Sequence, residues 1–339
     1  MPSFSIIIPY YRSAKTVRYT LESAHRAKQG VDCEILLVDD GSEVPAEKAL
    51  AGFEFAPDRI IRQENRGLLF ARLKGLEEAR GEFILFLDAD DLIGPQKLGD
   101  AAEAFKDPEV VVVYTDTGRT RLKGKFSELC IQKDPPAMDT RDMAEFFIEV
   151  QPAPHSPIFR TSFLKELVRK PLFPPLPAYN PVAEIWFYFN AAIRPGKVVK
   201  IPGAETICGS HQGERITGCW EKMAVASLLV EEAFQQTCPQ TRETETARQL
   251  FGEKVFRSWR ALPFDFCKKY QQRKLRLWRS SPNGRLGKCG QQRFVCLARI
   301  IGPLASGWIL RRIQGQRYQN IATMPNGIAV ESLLYRKES

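Results

Sequence analysis

Histidine is scarce in this chain: His25, His155 and His211 are the 3 among 339 residues. The 8 cysteines are scattered, and no two are spaced Cys-x-x-Cys. Both shortages argue against a zinc site. No basic stretch followed by a long apolar run opens the chain, and Cys33 falls inside an expected buried strand. Reduced thiols in a cytoplasmic protein therefore fit better than a disulfide framework. No run approaches the ~18 apolar residues of a membrane-spanning helix. No Gly-x-Gly-x-x-Gly follows the first strand and no Gly-x-x-x-x-Gly-Lys-Ser/Thr occurs. The phosphate cradles of dehydrogenases and P-loop enzymes are thus missing. No nucleic-acid-binding motif is visible, so nucleic acid is not expected as a partner.

What is present starts with a core: 44% of residues are hydrophobic, enough for a folded chain of this length. The formal charge of +9 is unevenly spread. From Lys254 to Arg312 there are fifteen Lys or Arg and one acid, Asp265. Residues 218–339 read as a helical, basic C-terminal region, a composition that favours an anionic membrane surface as partner. Within it, Ile300 to Leu310 is apolar and flanked by Arg299 and by Arg311-Arg312. Eleven residues are too short to cross a bilayer, but they suit its interface or a face packed against the rest of the protein.

Residues 1–115 alternate strand and helix patterns. Ser5 to Ile8, Glu34 to Val38, Arg59 to Ile61, Phe83 to Leu87 and Val110 to Tyr114 read as strands. Thr16 to Lys28, Leu68 to Arg80 and Gln96 to Phe105 read as helices. Continuous apolar strands between helices predict a mainly parallel sheet covered on both faces. Residues 116–217 are less regular. Residues 116–140 read as an excursion or a pair of edge strands, and Arg141 to Val150 as a helix. Ile158 to Arg160 is a short strand, Thr161 caps a helix to Val168, and Val182 to Ile193 is helical after a loop with five prolines.

Chemistry gathers at the strand ends. Pro9-Tyr10-Tyr11-Arg12 follows the first strand and Asp39-Asp40-Gly41-Ser42 ends the second. Gln63-Glu64-Asn65-Arg66-Gly67, with Ala71-Arg72, belongs to the third unit. Asp88-Ala89-Asp90-Asp91 ends the fourth. In a parallel sheet these ends share one edge, where ligands of open α/β sheets bind. Ionised carboxylates are costly to bring together unless something positive lies between them, and a hard divalent cation on a phosphorylated ligand is the usual solution. A solvated acidic turn is the plain alternative.

These segments, from Ser5-Ile6-Ile7-Ile8-Pro9 through Gly81 to Asp91, resemble the family-two glycosyltransferases of the GT-A fold. The likeness is specific over residues 4 to 115 and fainter to about 217. It implies an α/β GT-A catalytic domain over 1–217, a nucleotide-sugar donor (usually a UDP-sugar), Mg2+ or Mn2+, and inversion at the anomeric carbon. Pro9 and Tyr11 would line the nucleotide pocket. Asp40, or Asp39 beside it, would hold the uracil, although Asp39 also suits capping of the following turn. Asn65 and Arg72 would complete the nucleoside and phosphate contacts; the plain reading of Arg72 is an ion pair with Glu64 or Glu78. Asp88 and Ala89 would face the donor, and Asp88 and Asp90 would bind the metal. His211 is a third metal ligand or a phosphate donor, within Gly209 to Arg215. His155 is a further candidate on the acceptor side.

The sequence departs from the family in two places. Leu73 stands where relatives commonly have Asn. The Glu-Asp pair that supplies the general base is reduced to one carboxylate, Glu184; if Ile185 is the true equivalent, no base is present and a non-catalytic nucleotide-sugar or glycan binder becomes the alternative. A nucleotidyltransferase on the same fold would need a glycine-rich loop after strand one. The Gln-x-x-Arg-Trp signature of processive synthases is missing, so one sugar is expected to be added per acceptor. The expected acceptor is a glycan or lipid-linked glycan in surface-polysaccharide assembly, at the inner membrane face.

Overall fold

Runs such as Glu34-Ile35-Leu36-Leu37-Val38 have no polar face, so they are stable only inside a sheet covered on both sides. The computed structural model describes residues 3–211, 219–262, 266–282, 284–314 and 330–335, and places them that way. The strands are β1 (Phe4–Tyr10), β2 (Cys33–Asp40), β3 (Arg59–Gln63), β4 (Phe83–Phe86), β5 (Leu92–Ile93), β6 (Val110–Tyr114), β7 (Thr117–Arg121), β8 (Gln132–Lys133), β9 (Ile158–Arg160), β10 (Lys197–Lys200) and β11 (Thr206–Ser210). The chain divides into two units, 1–171 with 194–213, and 172–193 with 214–339.

The first unit holds a seven-stranded sheet of order β10-β6-β9-β4-β1-β2-β3. It is mixed: β9 runs antiparallel to both β4 and β6, while the other pairings are parallel. Register carries Tyr10 opposite Asp39 and Asp40 opposite Gln63, and Leu87 N–H donates to the Ile7 carbonyl at 2.9 Å. The ends of β1, β2, β3 and β4 therefore lie on one edge. A second sheet, β5-β11-β7-β8, takes three strands from the irregular middle and β5 from just after Asp91. There β7 and β8 do pair antiparallel, but β11 covers the other side of β7, so only β8 is an edge strand of the two.

Helices α1 (Val17–Ala27), α2 (Ala46–Ala49), α3 (Leu68–Glu78), α4 (Lys97–Ala104) and α5 (Thr161–Arg169) belong to this unit. The α1 stripe Val17, Leu21, Ala24, Ala27 is buried, as its spacing requires. Gly75 lets α3 sit tightly on β1: a Cβ there would fall 2.3 Å from Ile7 Cγ2. The helix expected up to Val150 is present, wound as a π-helix over Glu145–Val150. One local expectation is corrected. Thr161 does not cap α5; it is the first helical residue, and its hydroxyl donates 2.7 Å to the Gly81 carbonyl.

The second unit comprises α6 (Ala183–Ala191), α7 (Trp220–Thr237), α8 (Glu245–Ala261), α9 (Lys268–Arg279), α10 (Gln292–Ile301), α11 (Pro303–Gln314) and α12 (Val330–Tyr335). Its core includes Phe189, Phe234 and Phe251 in mutual ring contact. On basic α9, Tyr270, Leu275 and Leu277 are buried, so that part of the interleaved tail is used in packing. The apolar run 300–310 is broken at Gly302, whose φ of 82° followed by Pro303 ends one helix and starts the next. Ile300, Ile301, Ile309 and Ile313 are exposed there, beside exposed Arg293, Arg299 and Arg312. No helix of the described residues is long and apolar enough to cross a membrane. The eight cysteines form no disulfides, and burial pushes the Cys33 thiol up to about 12.

Candidate active site

The site is built on the shared strand edge. After β1, Arg12 takes a left-handed backbone conformation with φ of 53°, a conformation costly for a long side chain. Its N–H donates 3.2 Å to Ser42 Oγ and its guanidinium pairs with Glu43, which ties the turn after β1 to the turn after β2. Pro9 is buried just before it, and Tyr11 is exposed.

Successive residues on a strand point to opposite faces, so Asp39 and Asp40 do different work. Asp39 is wholly buried. Its carboxylate accepts from Ser42 N at 2.9 Å, Ala46 N at 3.1 Å and Arg62 Nη1 at 3.1 Å, which closes the turn into α2. Asp40 accepts from Gln63 Nε2 at 2.7 Å, Arg66 N at 2.9 Å and Gly67 N at 2.8 Å. A carboxylate offers about four acceptor positions, so Asp40 keeps one on Oδ2. Asn65, in the loop that Asp40 holds, is exposed.

Arg72 lies one turn before Gly75 on α3 and is 1% exposed. Its Nη2 donates 2.6 Å to Asp88 Oδ1. The pairing foreseen with Glu78 is taken instead by Arg59 and Lys74. Asp88 and Asp90 remain partly open, at 21% and 26% side-chain exposure. His211, just past β11, places Nε2 3.1 Å from Asp90 Oδ2. Gly209 permits this approach, because a Cβ there would fall 2.0 Å from the Asp90 carbonyl oxygen. Gln212 to Arg215 lie outside the described residues. Asp90 and His211 thus meet, partly open to solvent, and a carboxylate and an imidazole are ligand types that Mg2+ or Mn2+ accepts. Ala89, between Asp88 and Asp90, is buried.

Glu184 is half-buried in the first turn of α6, within the helical unit. A carboxylate there is favoured by the helix dipole whatever else it does.

No spacing in the sequence signals the polar cluster behind this edge. Lys97 is fully buried, its Nζ donating to Thr206 Oγ1 at 2.6 Å, Ser156 O at 3.1 Å and Thr115 Oγ1 at 3.3 Å. Burial pushes its amine down to about 7, against the opposing pull of Glu205 and Cys208. His155, read above as an acceptor-side residue, is buried at 0% exposure beside Asp91. Asp91 Oδ1 accepts from Gly209 N at 2.8 Å, and His25 is a half-buried helix residue bonded to the Ala56 carbonyl.

This architecture recurs in solved structures. S. aureus TarS 1-349 in complex with UDP-GlcNAc is similar with a TM-score of 0.65 at 18% identity, over 94% of this chain and 92% of that one. Mannosyltransferase PcManGT from Pyrobaculum calidifontis, in complex with GDP-Man and Mn2+, is similar with a TM-score of 0.56 at 13% identity, over 99% and 88%. These likenesses place the fold in the GT-A class of α/β proteins. Minor teichoic acid biosynthesis protein GgaA of Bacillus subtilis is 36% identical over 140 residues, 37% of this chain and 31% of that protein. The chain spans about a third of the length of the curated relatives it matches. Residues 5–168 match the family model for Glycosyl transferase family 2, and this region belongs to that family.

Proposed function

We propose that this chain transfers a single sugar from a nucleotide-diphosphate sugar, a UDP-sugar first among them, to an acceptor hydroxyl with inversion. The observation that carries the reading is the meeting of Arg72–Asp88 and Asp90–His211 at an edge shared by β1, β2 and β4. Asp88, Asp90 and His211 would hold Mg2+ or Mn2+, and a cation there would offset the charge that develops on the leaving diphosphate. Arg72 fixes the Asp88 carboxylate. The open acceptor position of Asp40 suits a uracil N–H better than the enclosed Asp39 does, with Pro9, Tyr11 and Asn65 around the base. Glu184 is the assigned general base, its carboxylate taking the acceptor's hydroxyl proton as the oxygen attacks the sugar carbon.

The acceptor is proposed to be a glycan or lipid-linked glycan in cell-surface polysaccharide assembly. GgaA, named for teichoic acid biosynthesis, supports this. So does the exposed Ile300, Ile301, Ile309 and Ile313 set among arginines, which fits peripheral binding at an anionic membrane surface.

Thermal unfolding against a panel of nucleotides and their sugars, with and without Mn2+, tests the donor site. A ligand at a hundred times its dissociation constant stabilises the fold by about 2.7 kcal/mol. UDP compounds with Mn2+ should stabilise the wild type and fail to stabilise Asp90→Asn; stabilisation by no nucleotide overturns the reading. Glu184→Gln should retain donor binding and lose transfer. Wild-type donor binding without any transfer would leave a binding protein in place of an enzyme.

A further inference from the structure

We propose that Asp91, His155 and Cys208 form a zinc site, separate from the donor-site cation and fastening the two segments that carry it. One ligand atom from each of the three lies within 4.8 Å of the others. Asp91 Oδ2 and His155 Nδ1 are 3.1 Å apart, a separation that two ligands of one ion at about 2.0–2.3 Å can have. Asp91 and His155 are buried and Cys208 is half-buried.

His155 is the informative residue. Its ring is at 0% exposure, and although Asp91 Oδ2 lies 3.1 Å from Nδ1, neither ring nitrogen is aligned in a hydrogen bond. A buried polar atom without a partner is costly, so a ring with two of them calls for an explanation. A cation is the partner these neighbours would supply. One carboxylate and one thiolate bring two negative charges, which balance Zn2+ with a neutral imidazole. That cancellation is what a buried location needs. A thiolate and an imidazole also favour zinc over Mg2+ or Mn2+, whereas Asp88, Asp90 and His211 suit the harder ions. Binding would release the Cys208 thiol proton to solvent.

The placement gives the site its role. Asp91 follows Asp90 directly, and Cys208 lies three residues before His211 on the same strand run. Asp91 also accepts the Gly209 N–H at 2.8 Å. Zinc would thus clamp the acidic turn to β11 with the third ligand supplied from just before β9. The site itself stands on the geometry of these three residues; only its effect on the donor cation rests on the proposed function.

The test uses the full chain without nucleotide. Metal analysis after dialysis should find stoichiometric zinc, and Co2+ replacement should give a thiolate-to-cobalt charge-transfer band. Cys208→Ser and His155→Gln should each weaken zinc binding by more than about 100-fold, while Asp90→Asn keeps it. The wild-type cobalt spectrum needs no variant, so misfolding of a mutant does not shield the proposal. No zinc uptake and no thiolate band in the wild type overturns it, as does a band that persists in Cys208→Ser. Failure of UDP and Mn2+ to bind would sink the donor reading and leave this result standing.

Discussion

Both units bury charge, and they do it differently. In the helical unit, Glu231 of α7 takes the Lys274 ammonium of α9 at 2.7 Å, and Arg311 of α11 donates to Gln271 at 2.7 Å and to the Leu262 carbonyl at 3.1 Å. These groups join one helix to another, and each donates to or accepts from a protein partner. The helical unit also buries single unpartnered oxygens, Glu221 Oε2 and Glu253 Oε2, but in the sheet unit the charges gather where strands end. Asp40 has a spare acceptor position, Asp88 and Asp90 are partly open, and His155 has no hydrogen bond. Buried charge alone therefore does not mark a functional site. What sets the sheet unit apart is that its charged groups collect at one strand edge.

The comparison breaks or sharpens under four substitutions. Asp90→Asn should lower kcat by about 10²–10³-fold with an unchanged unfolding midpoint, measured by sugar transfer and by thermal melts. Lys274→Met should do the opposite. Leaving Glu231 buried and unpaired costs about 3–5 kcal/mol, read by urea unfolding, yet kcat per folded molecule should hold; a fall in kcat would show that the helical pair is no mere fastening. Gly209→Ala forces a methyl onto the Asp90 carbonyl, an overpacking worth about 1–3 kcal/mol. The Mn2+ concentration for half-maximal activity should rise roughly tenfold, since each tenfold is about 1.4 kcal/mol.

The smallest effect is a slope. The folded pKa of Lys97, about 7, lies below its ordinary value of 10.5, mainly through burial. Between those values the unfolded chain holds more protons, so stability rises with pH across that window and gains nothing below it. Lys97→Met should remove a contribution of up to about 1.4 kcal/mol per pH unit, measured by denaturant unfolding from pH 7 to 10 with a chelator present.

Much of the sheet unit was legible because its residues leave little choice. Ile6-Ile7-Ile8 and Ile35-Leu36-Leu37-Val38 admit only a doubly covered strand, and the acids that follow them fall where such strands end. The direction of β9 was not legible. Ile158-Phe159 is buried on both faces, so its pattern is the same run either way. Lys197–Lys200 and Thr206–Ser210 were missed as strands because they are short and mixed in polarity, and their pairing partners decide them. The Arg72–Asp88 bond was hidden for a different reason: a helix approach set by Gly75 against Ile7 is a packing fact and leaves no local signature. The cluster of Asp91, His155 and Cys208 was equally hidden, since residues so far apart in sequence carry no spacing rule.

Asp40 joins the end of β2 to three donors of the 63–67 loop. That loop is therefore set in shape before any base arrives, and the ordering entropy has been met during folding. On the proposed role of Asp40, nucleotide capture should then resemble a key entering a finished lock: fast association, little change in amide exchange at Arg66 and Gly67, and discrimination among bases governed by which ring presents an N–H to the one oxygen lone pair still on offer.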